Sequence, residues 1–376
     1  MIVSLAPETV AARLARVRGA ARTAGVDALV VTHLPNVQYL TGFSGSAGAV
    51  LVLPRTCLLV VDFRYVTAVT TLTSNLRGLV TLATFERSYD EALVDLLRRD
   101  GSLRIGIEAA YLPVSRFNAI SAGLAVRAPL PLESADGAPA LVPTERLVEQ
   151  ARVIKDEVEI ATLRDAGKRL GEIASRVHGF VREGRTEQSV AADIDSAMRE
   201  AGFSRPAFET IVASGPNSVL PHARPTDRVI RAGDPTVLDF GGVYDGYCVD
   251  LTRTVQLGAA TGALRQLYAA VAEAQNAAIA AVRPGVTSST IDAAARTVLE
   301  RYGLSEAFGH GTGHGLGLEV HEEPRIARQS PRLPDPVVEP GMVFTIEPGV
   351  YVPGVGGVRI EDDVLVTETG CEVLTR

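Results

Sequence analysis

The chain has six histidines, and three of them, His310, His314 and His321, fall within "GHGTGHGLGLEVHEEP" (309–324). Glycine holds every odd position from Gly309 to Gly317, so these imidazoles stand on backbone with no competing bulk. In an extended strand His310 and His314 project to one face. Carboxylates that could share a centre with them lie in two further segments. "VLDFGGVYDGYCVDLTRT" (237–254) reads as a hairpin around Asp245-Gly246, a favoured two-residue turn. With Tyr244 paired to Tyr247, Asp239 faces Thr252, and Asp250 lies two residues along on the same face. In the second segment, "MVFTIEPGVYV" (342–352) and "VRIEDDVLV" (358–366) flank a "PGVGG" loop. Pairing Val352 with Val358 puts Glu361 opposite Gly349, on the face that also carries Glu347.

Like charges this close on a buried face are unfavourable unless a cation holds them or one carboxylate keeps its proton. One Asp in a hairpin is usually a solvated turn residue, and one His among glycines is usually structural. The case for a metal centre rests on several such residues coinciding in strand contexts. Four carboxylates and one imidazole balance two divalent ions. A donor set dominated by oxygen with one nitrogen favours manganese, cobalt, iron or zinc over a soft copper site.

The elements that must position these residues fall into two blocks. At 376 residues the chain is long enough for two domains, at roughly 150 residues each. The first third alternates helical and strand patterns: a helix over 7–25, a strand "VDALVVTH", two strands within 48–65, a helix near 89–99, the strand "LRIGIE" and a helix after Pro113. That alternation predicts an α/β layer. The stretch 128–147 is rich in proline and small residues and marks the boundary: a first domain over 1–130, a linker over 131–147 and a second domain over 148–376. In the second block, helices over 156–182, 186–201, 261–282 and 289–302 and strands near 208–213 and 236–241 precede a region of strands and glycine turns after Phe308. This pattern predicts an α+β domain.

Composition narrows the function classes. A net charge of −7, with lysine only at Lys155 and Lys168, argues against a nucleic-acid binder. No apolar run approaches the ~18 residues of a membrane span, and the N-terminus lacks the pattern of a signal peptide. Cys57, Cys248 and Cys371 are too few and too scattered for a disulfide framework or a cysteine metal site. The expectation is a soluble, reduced, cytoplasmic protein without nucleic-acid or membrane partners.

The order Asp239, Asp250, His314, Glu347, Glu361 resembles the five-ligand set of the pita-bread metallopeptidases of family M24. "VASGPNSVLPH" (212–222) is similar to the family stretch that delivers an active-site histidine. "HLPNVQYLTGFSGSAG" (33–48) resembles the N-terminal domain of creatinase and of the proline-specific branch. The resemblance implies an α/β creatinase/prolidase-like domain followed by an α+β pita-bread catalytic domain. It also implies an enzyme cleaving Xaa-Pro bonds in short proline-containing peptides, either a dipeptidase (prolidase) or an Xaa-Pro aminopeptidase. A non-catalytic peptide-binding module of the same fold and a metal-independent creatinase-like hydrolase are the readings from other classes. By the same resemblance, Asp239 chelates one ion, His314 and Glu347 bind the other, and Asp250 and Glu361 bridge both, with manganese the first expectation and cobalt, zinc or iron behind it. Glu347 acts as proton acceptor, His222 and His321 bind the carbonyl and stabilise the tetrahedral intermediate, and His310 lines the pocket. Arg325 resembles a prolidase arginine that receives the substrate carboxylate. Arg359 shares the face of Glu361, where it can orient carboxylates beside the substrate site. A homodimer is expected.

Overall fold

A computed structural model of the chain describes residues 5–125 and 139–376. The chain divides into two compact units between Arg152 and Val153.

The first unit runs α1 (Pro7–Thr23), β1 (Ala28–Val31), α2 (Leu34–Thr41), β2 (Ala49–Val52), β3 (Cys57–Val61), α3 (Val66–Asn75), β4 (Thr81–Thr84), α4 (Tyr89–Asp100), β5 (Arg104–Glu108), α5 (Val114–Ala125), β6 (Ala140–Thr144) and α6 (Leu147–Val153). Its six strands form one mixed sheet in the order β4-β3-β2-β1-β5-β6. The apolar runs "ALVV" and "AVLV" are buried at every position, as strands covered on both faces must be. This is the expected α/β layer. Strand β6 lies inside the span expected to be a linker and pairs in parallel with β5; residues 131–138 of that span lie outside the described residues.

The second unit runs α7 (Glu157–Ala174), α8 (Glu187–Glu200), β7 (Arg205–Pro206), β8 (Ile211–Ser214), β9 (Pro235–Tyr244), β10 (Tyr247–Gln256), α9 (Gly262–Ala281), α10 (Ser288–Arg301), β11 (Gly313–Gly315), β12 (Glu322–Ile326), β13 (Val343–Ile346), β14 (Gly349–Val352), β15 (Gly356–Arg359), β16 (Asp362–Val366) and β17 (Cys371–Val373). Asp156 and Glu159 close a capping box at the start of α7. Helices α9 and α10 bury Leu267, Val271, Ile291 and Val298 in one core with Phe344, Ile346 and Val364 of the strands. Three sheets result: β10-β9-β7 with β8 also on β9, β12-β11-β13-β16-β17, and the β14-β15 ribbon. Helices segregated from antiparallel sheets make this the expected α+β unit.

Two local expectations are corrected. The glycine-rich stretch is strand only over Gly313–Gly315, so His310 precedes the strand that carries His314. The second hairpin pairs Val352 with Gly356 and Gly349 with Arg359, a slip of two residues from the expected pairing. The cause is that Gly356 and Gly357 belong to β15 and not to the loop. A Cβ on Gly357 would stand 1.8 Å from the Ser218 carbonyl oxygen, so the strand itself needs glycine there.

Candidate metal centre

The Asp245-Gly246 turn has φ of 47° and 89°, as a type I′ hairpin requires. It sets the expected register, with Tyr244 opposite Tyr247 and Asp239 opposite Thr252. Asp239 and Asp250 are 9% and 5% exposed, in strands buried along most of their length.

The second pair of acids sits at a break. β13 pairs with β16, ending at Ile346 opposite Asp362, and β14 pairs with β15, beginning at Gly349 opposite Arg359. The register is the same on both sides, so Glu347 and Glu361 occupy facing positions between the two ladders. Freed from its own ladder, Glu361 N donates to Thr252 O at 3.1 Å, and Thr252 Oγ1 donates to Glu361 Oε2 at 2.6 Å. Thr254 and Arg359 exchange a further pair of bonds. These contacts bring the Asp239/Asp250 hairpin against Glu361.

His314 enters from β11. Its backbone N donates to Thr345 Oγ1 at 3.1 Å, and its Nδ1 lies 3.1 Å from Gly315 O, which turns Nε2 toward the acids. Nε2 is 3.6 Å from Glu347 Oε1 and 3.9 Å from Asp250 Oδ2. The alternate glycines make this approach possible: a Cβ on Gly313 would lie 1.8 Å from Thr345 O, and one on Gly315 2.2 Å from Glu323 O.

The electrostatics are those of acids packed together out of water. Burial, then Glu361, Asp239, Asp363 and Glu347, hold the Asp250 carboxyl well above its ordinary range. Burial, then Glu347 and Asp239, do the same to Glu361. Burial pushes Glu347 up to about 7, with Arg359 pulling the other way and Asp239 adding. Burial and the neighbouring His321 bring His314 down to about 4, so its ring is neutral at pH 7 with a lone pair to give.

These residues fit a divalent metal. Ligand atoms of Asp250, His314 and Glu361 all lie within 4.8 Å of one another. Asp239 Oδ1, Asp250 Oδ1 and Glu361 Oε1 are buried without a hydrogen-bond partner. Buried carboxylate oxygens left unpaired are costly, and a shared cation is what satisfies them. Among the described residues this is the only such group of acids and histidines.

Of the other expected site residues, His321 stacks edge-to-face on His314 with ring centroids 4.3 Å apart. Burial and the charge of His222 lower the His321 imidazole, and His222 bears on His310 as well. His222 and His321 are both exposed. His310, brought down to about 4 mainly by burial, reaches Tyr351 Oη with Nε2 at 3.2 Å. Arg325 is exposed on β12, opposite His314 in the ladder and so on its face. Arg359 directs its donors at protein acceptors: Asp239 Oδ2, Thr252 Oγ1 at 3.1 Å, Tyr351 Oη at 2.7 Å and Pro221 O at 3.2 Å.

Two residues at the site were not singled out from sequence. Tyr351 links Arg359 to His310, and its position two residues beyond Gly349 and four beyond Glu347 was the available signal. Asp363, fully buried, accepts from Asp250 N at 3.0 Å; its place in the acidic run "EDD" carried no signal of that contact.

Comparison with known proteins bears on these observations. Residues 161–368 match the model of metallopeptidase family M24, and residues 13–154 match that of the Creatinase/Prolidase N-terminal domain. The chain is 40% identical over 367 residues to the probable dipeptidase PepE of Mycobacterium tuberculosis, covering 96% of this chain and 93% of that one. Among solved structures, an Xaa-Pro dipeptidase from Bacillus anthracis superposes with a TM-score of 0.90 at 35% identity, covering 98% of both chains. An X-Pro aminopeptidase from Thermotoga maritima gives 0.83 at 32% identity, covering 95% of this chain and 97% of that one.

Proposed function

The chain belongs to metallopeptidase family M24, and from that premise we propose that it hydrolyses Xaa-Pro dipeptides with two divalent ions held by Asp239, Asp250, His314, Glu347 and Glu361. The observation that carries the reading is the set of buried carboxylate oxygens without hydrogen-bond partners beside a neutral imidazole. We assign manganese as the working ion on the family resemblance, the oxygen-dominated donor set suiting cobalt, zinc or iron as well. The resemblance to the Xaa-Pro branch also favours a homodimer, and we place it in the cytoplasm. No helix among the described residues is long and apolar enough to cross a membrane.

Bound ions supply Lewis-acid polarisation of the scissile carbonyl and an acidified water. The chain's own residues do the rest. Glu347 accepts a proton from the attacking water and returns it to the leaving nitrogen. In an Xaa-Pro bond that nitrogen is tertiary and departs only once protonated, so a nearby proton carrier is indispensable. His321 and His222 donate to the carbonyl oxygen as its charge develops. Arg359 holds Asp239 in place through its guanidinium and, through Tyr351, the ring of His310. Arg325 receives the carboxylate of the dipeptide's proline, where a planar fork matches two oxygens.

The test is hydrolysis of Ala-Pro and Leu-Pro beside a longer Xaa-Pro peptide, with manganese-loaded and chelated protein. Cleavage of the dipeptides alone, lost on chelation and restored by manganese, is the expected result. The likeness to the Thermotoga maritima protein favours a second reading, Xaa-Pro aminopeptidase. Release of the N-terminal residue from the longer peptide would establish it in place of the first. No cleavage of either peptide by protein holding two ions would overturn both.

A further inference from the structure

The segment that carries His222 is held at both ends by one carboxylate. Glu187, the first residue of α8, is fully buried. Its Oε1 accepts from Ser214 N at 2.7 Å, Ser214 Oγ at 2.7 Å and Asn217 Nδ2 at 3.0 Å. Its Oε2 accepts from Thr226 N at 3.0 Å, Thr226 Oγ1 at 2.6 Å and again Asn217 Nδ2 at 3.2 Å. Ser214 ends β8, and Thr226 is where the chain returns to α8, its carbonyl accepting from Gln188 N at 3.1 Å. Residues 215–225 lie between these anchors.

The middle of that segment is tied down independently. Gly357 N donates to Ser218 Oγ at 2.8 Å, and Arg359 Nη1 donates to Pro221 O at 3.2 Å. His222, the next residue, is exposed. It therefore stands on a loop fixed at its base by Glu187 and at its crest by β15, itself continuous with Glu361. A buried carboxylate whose oxygens are all met by donors rigidifies the groups that donate to it. Here what they hold is the path of the backbone to His222.

Resting on the function proposed above, we propose that Glu187 is a positioning residue for His222: through Ser214, Asn217 and Thr226 it fixes the loop carrying that imidazole and bears on hydrolysis by that route alone. Exchange to glutamine keeps the size but turns an amide N–H₂ toward groups that are themselves donors. Thr226→Val removes one hydroxyl, which donates to Glu187 and accepts from Arg228 N, and serves where Glu187→Gln does not fold.

The experiment is a double-mutant cycle on the manganese-loaded full chain, pairing Glu187→Gln or Thr226→Val with His222→Ala, alongside amide hydrogen exchange and metal content. With His222 present, Glu187→Gln lowers kcat/KM for Ala-Pro by about 10²-fold, the scale of a misplacement near 1 Å. In the His222→Ala background the same exchange costs less than about twofold, since the route is already cut. Exchange protection drops across 214–226 while metal content is unchanged. Thr226→Val gives the same pattern with a smaller loss. Equal losses in both backgrounds, or unchanged protection of 214–226, would overturn the proposal. If the parent chain cleaves no Xaa-Pro bond, the proposed function falls, and the exchange comparison alone decides whether Glu187 holds the loop.

Discussion

Buried carboxylates in the second unit are treated in two opposite ways. Around Glu187 both oxygens are met by neutral donors from Ser214, Asn217 and Thr226. Around Asp239, Asp250 and Glu361, one oxygen of each has no partner, and like charges face one another. The first unit repeats the satisfied pattern at Glu108, which accepts from Thr32 N, His33 N and Asn36 Nδ2. The chain thus builds donor cages in both units, whereas in the cluster Arg359 and Thr252 reach only one oxygen each of Asp239 and Glu361. A donor cage stabilises a carboxylate that stays where it is. A cluster without one needs a cation or a retained proton, and with a cation it is the arrangement able to bind and activate water.

The largest effect should come from breaking the cluster. Glu361→Gln, or chelation, is expected to cost more than the roughly 10²–10⁴-fold worth of a general base, because ion binding is lost with it. Ala-Pro hydrolysis and metal stoichiometry together check this. Activity within tenfold of the parent in metal-free protein would mean that the unpaired oxygens serve no metal. Next comes His321→Ala, expected to lower kcat by roughly 10²–10³-fold with both ions retained. Loss of an ion instead would make His321 a support of its neighbour His314.

How much of this contrast was legible in the sequence depends on where the partners lie. The Asp239/Asp250 hairpin could be registered because Asp245-Gly246 dictates its turn. The Glu347/Glu361 pairing came out two residues off, since Gly356 and Gly357 look like loop but are strand pressed against Ser218. An even slip keeps the face, so both acids were still assigned to one side. Strand β6 was hidden by Pro143, which argues against a strand interior; the strand lies at the sheet edge, where proline is tolerated. The donor cages were invisible, because Glu187 meets residues far along the chain that no local pattern links to it.

Middle-sized effects sharpen the contrast at its boundary. Arg359→Lys keeps a charge beside Asp239 but loses the fork that also holds Thr252 and Tyr351. Metal affinity should fall by about 10–100-fold, as it does when a ligand's supporting contact goes, with titration calorimetry as the measure. Arg325→Ala should raise KM for dipeptides about tenfold or more, a charge-assisted hydrogen bond being worth ~1.5–3 kcal/mol. An unchanged KM would remove Arg325 from substrate recognition and strengthen the aminopeptidase reading.

The smallest effect is also the most direct test of what the missing donors mean. Burial raises Glu347 from an ordinary 4.5 to about 7, and Asp250 and Glu361 are raised as well. In that window the folded metal-free protein keeps protons that the unfolded chain has released. Its stability must therefore fall as pH rises from about 4.5 toward 7, the reverse of what salt-bridged carboxylates produce. With manganese bound the ligands are already deprotonated, and binding strengthens as pH rises. Thermal unfolding from about pH 5 to pH 8 should then show the two forms diverging, by a few degrees at the acid end and more at neutral pH. Parallel curves would mean that the cluster carries no strain for a cation to relieve, and the contrast with Glu187 would lose its physical basis.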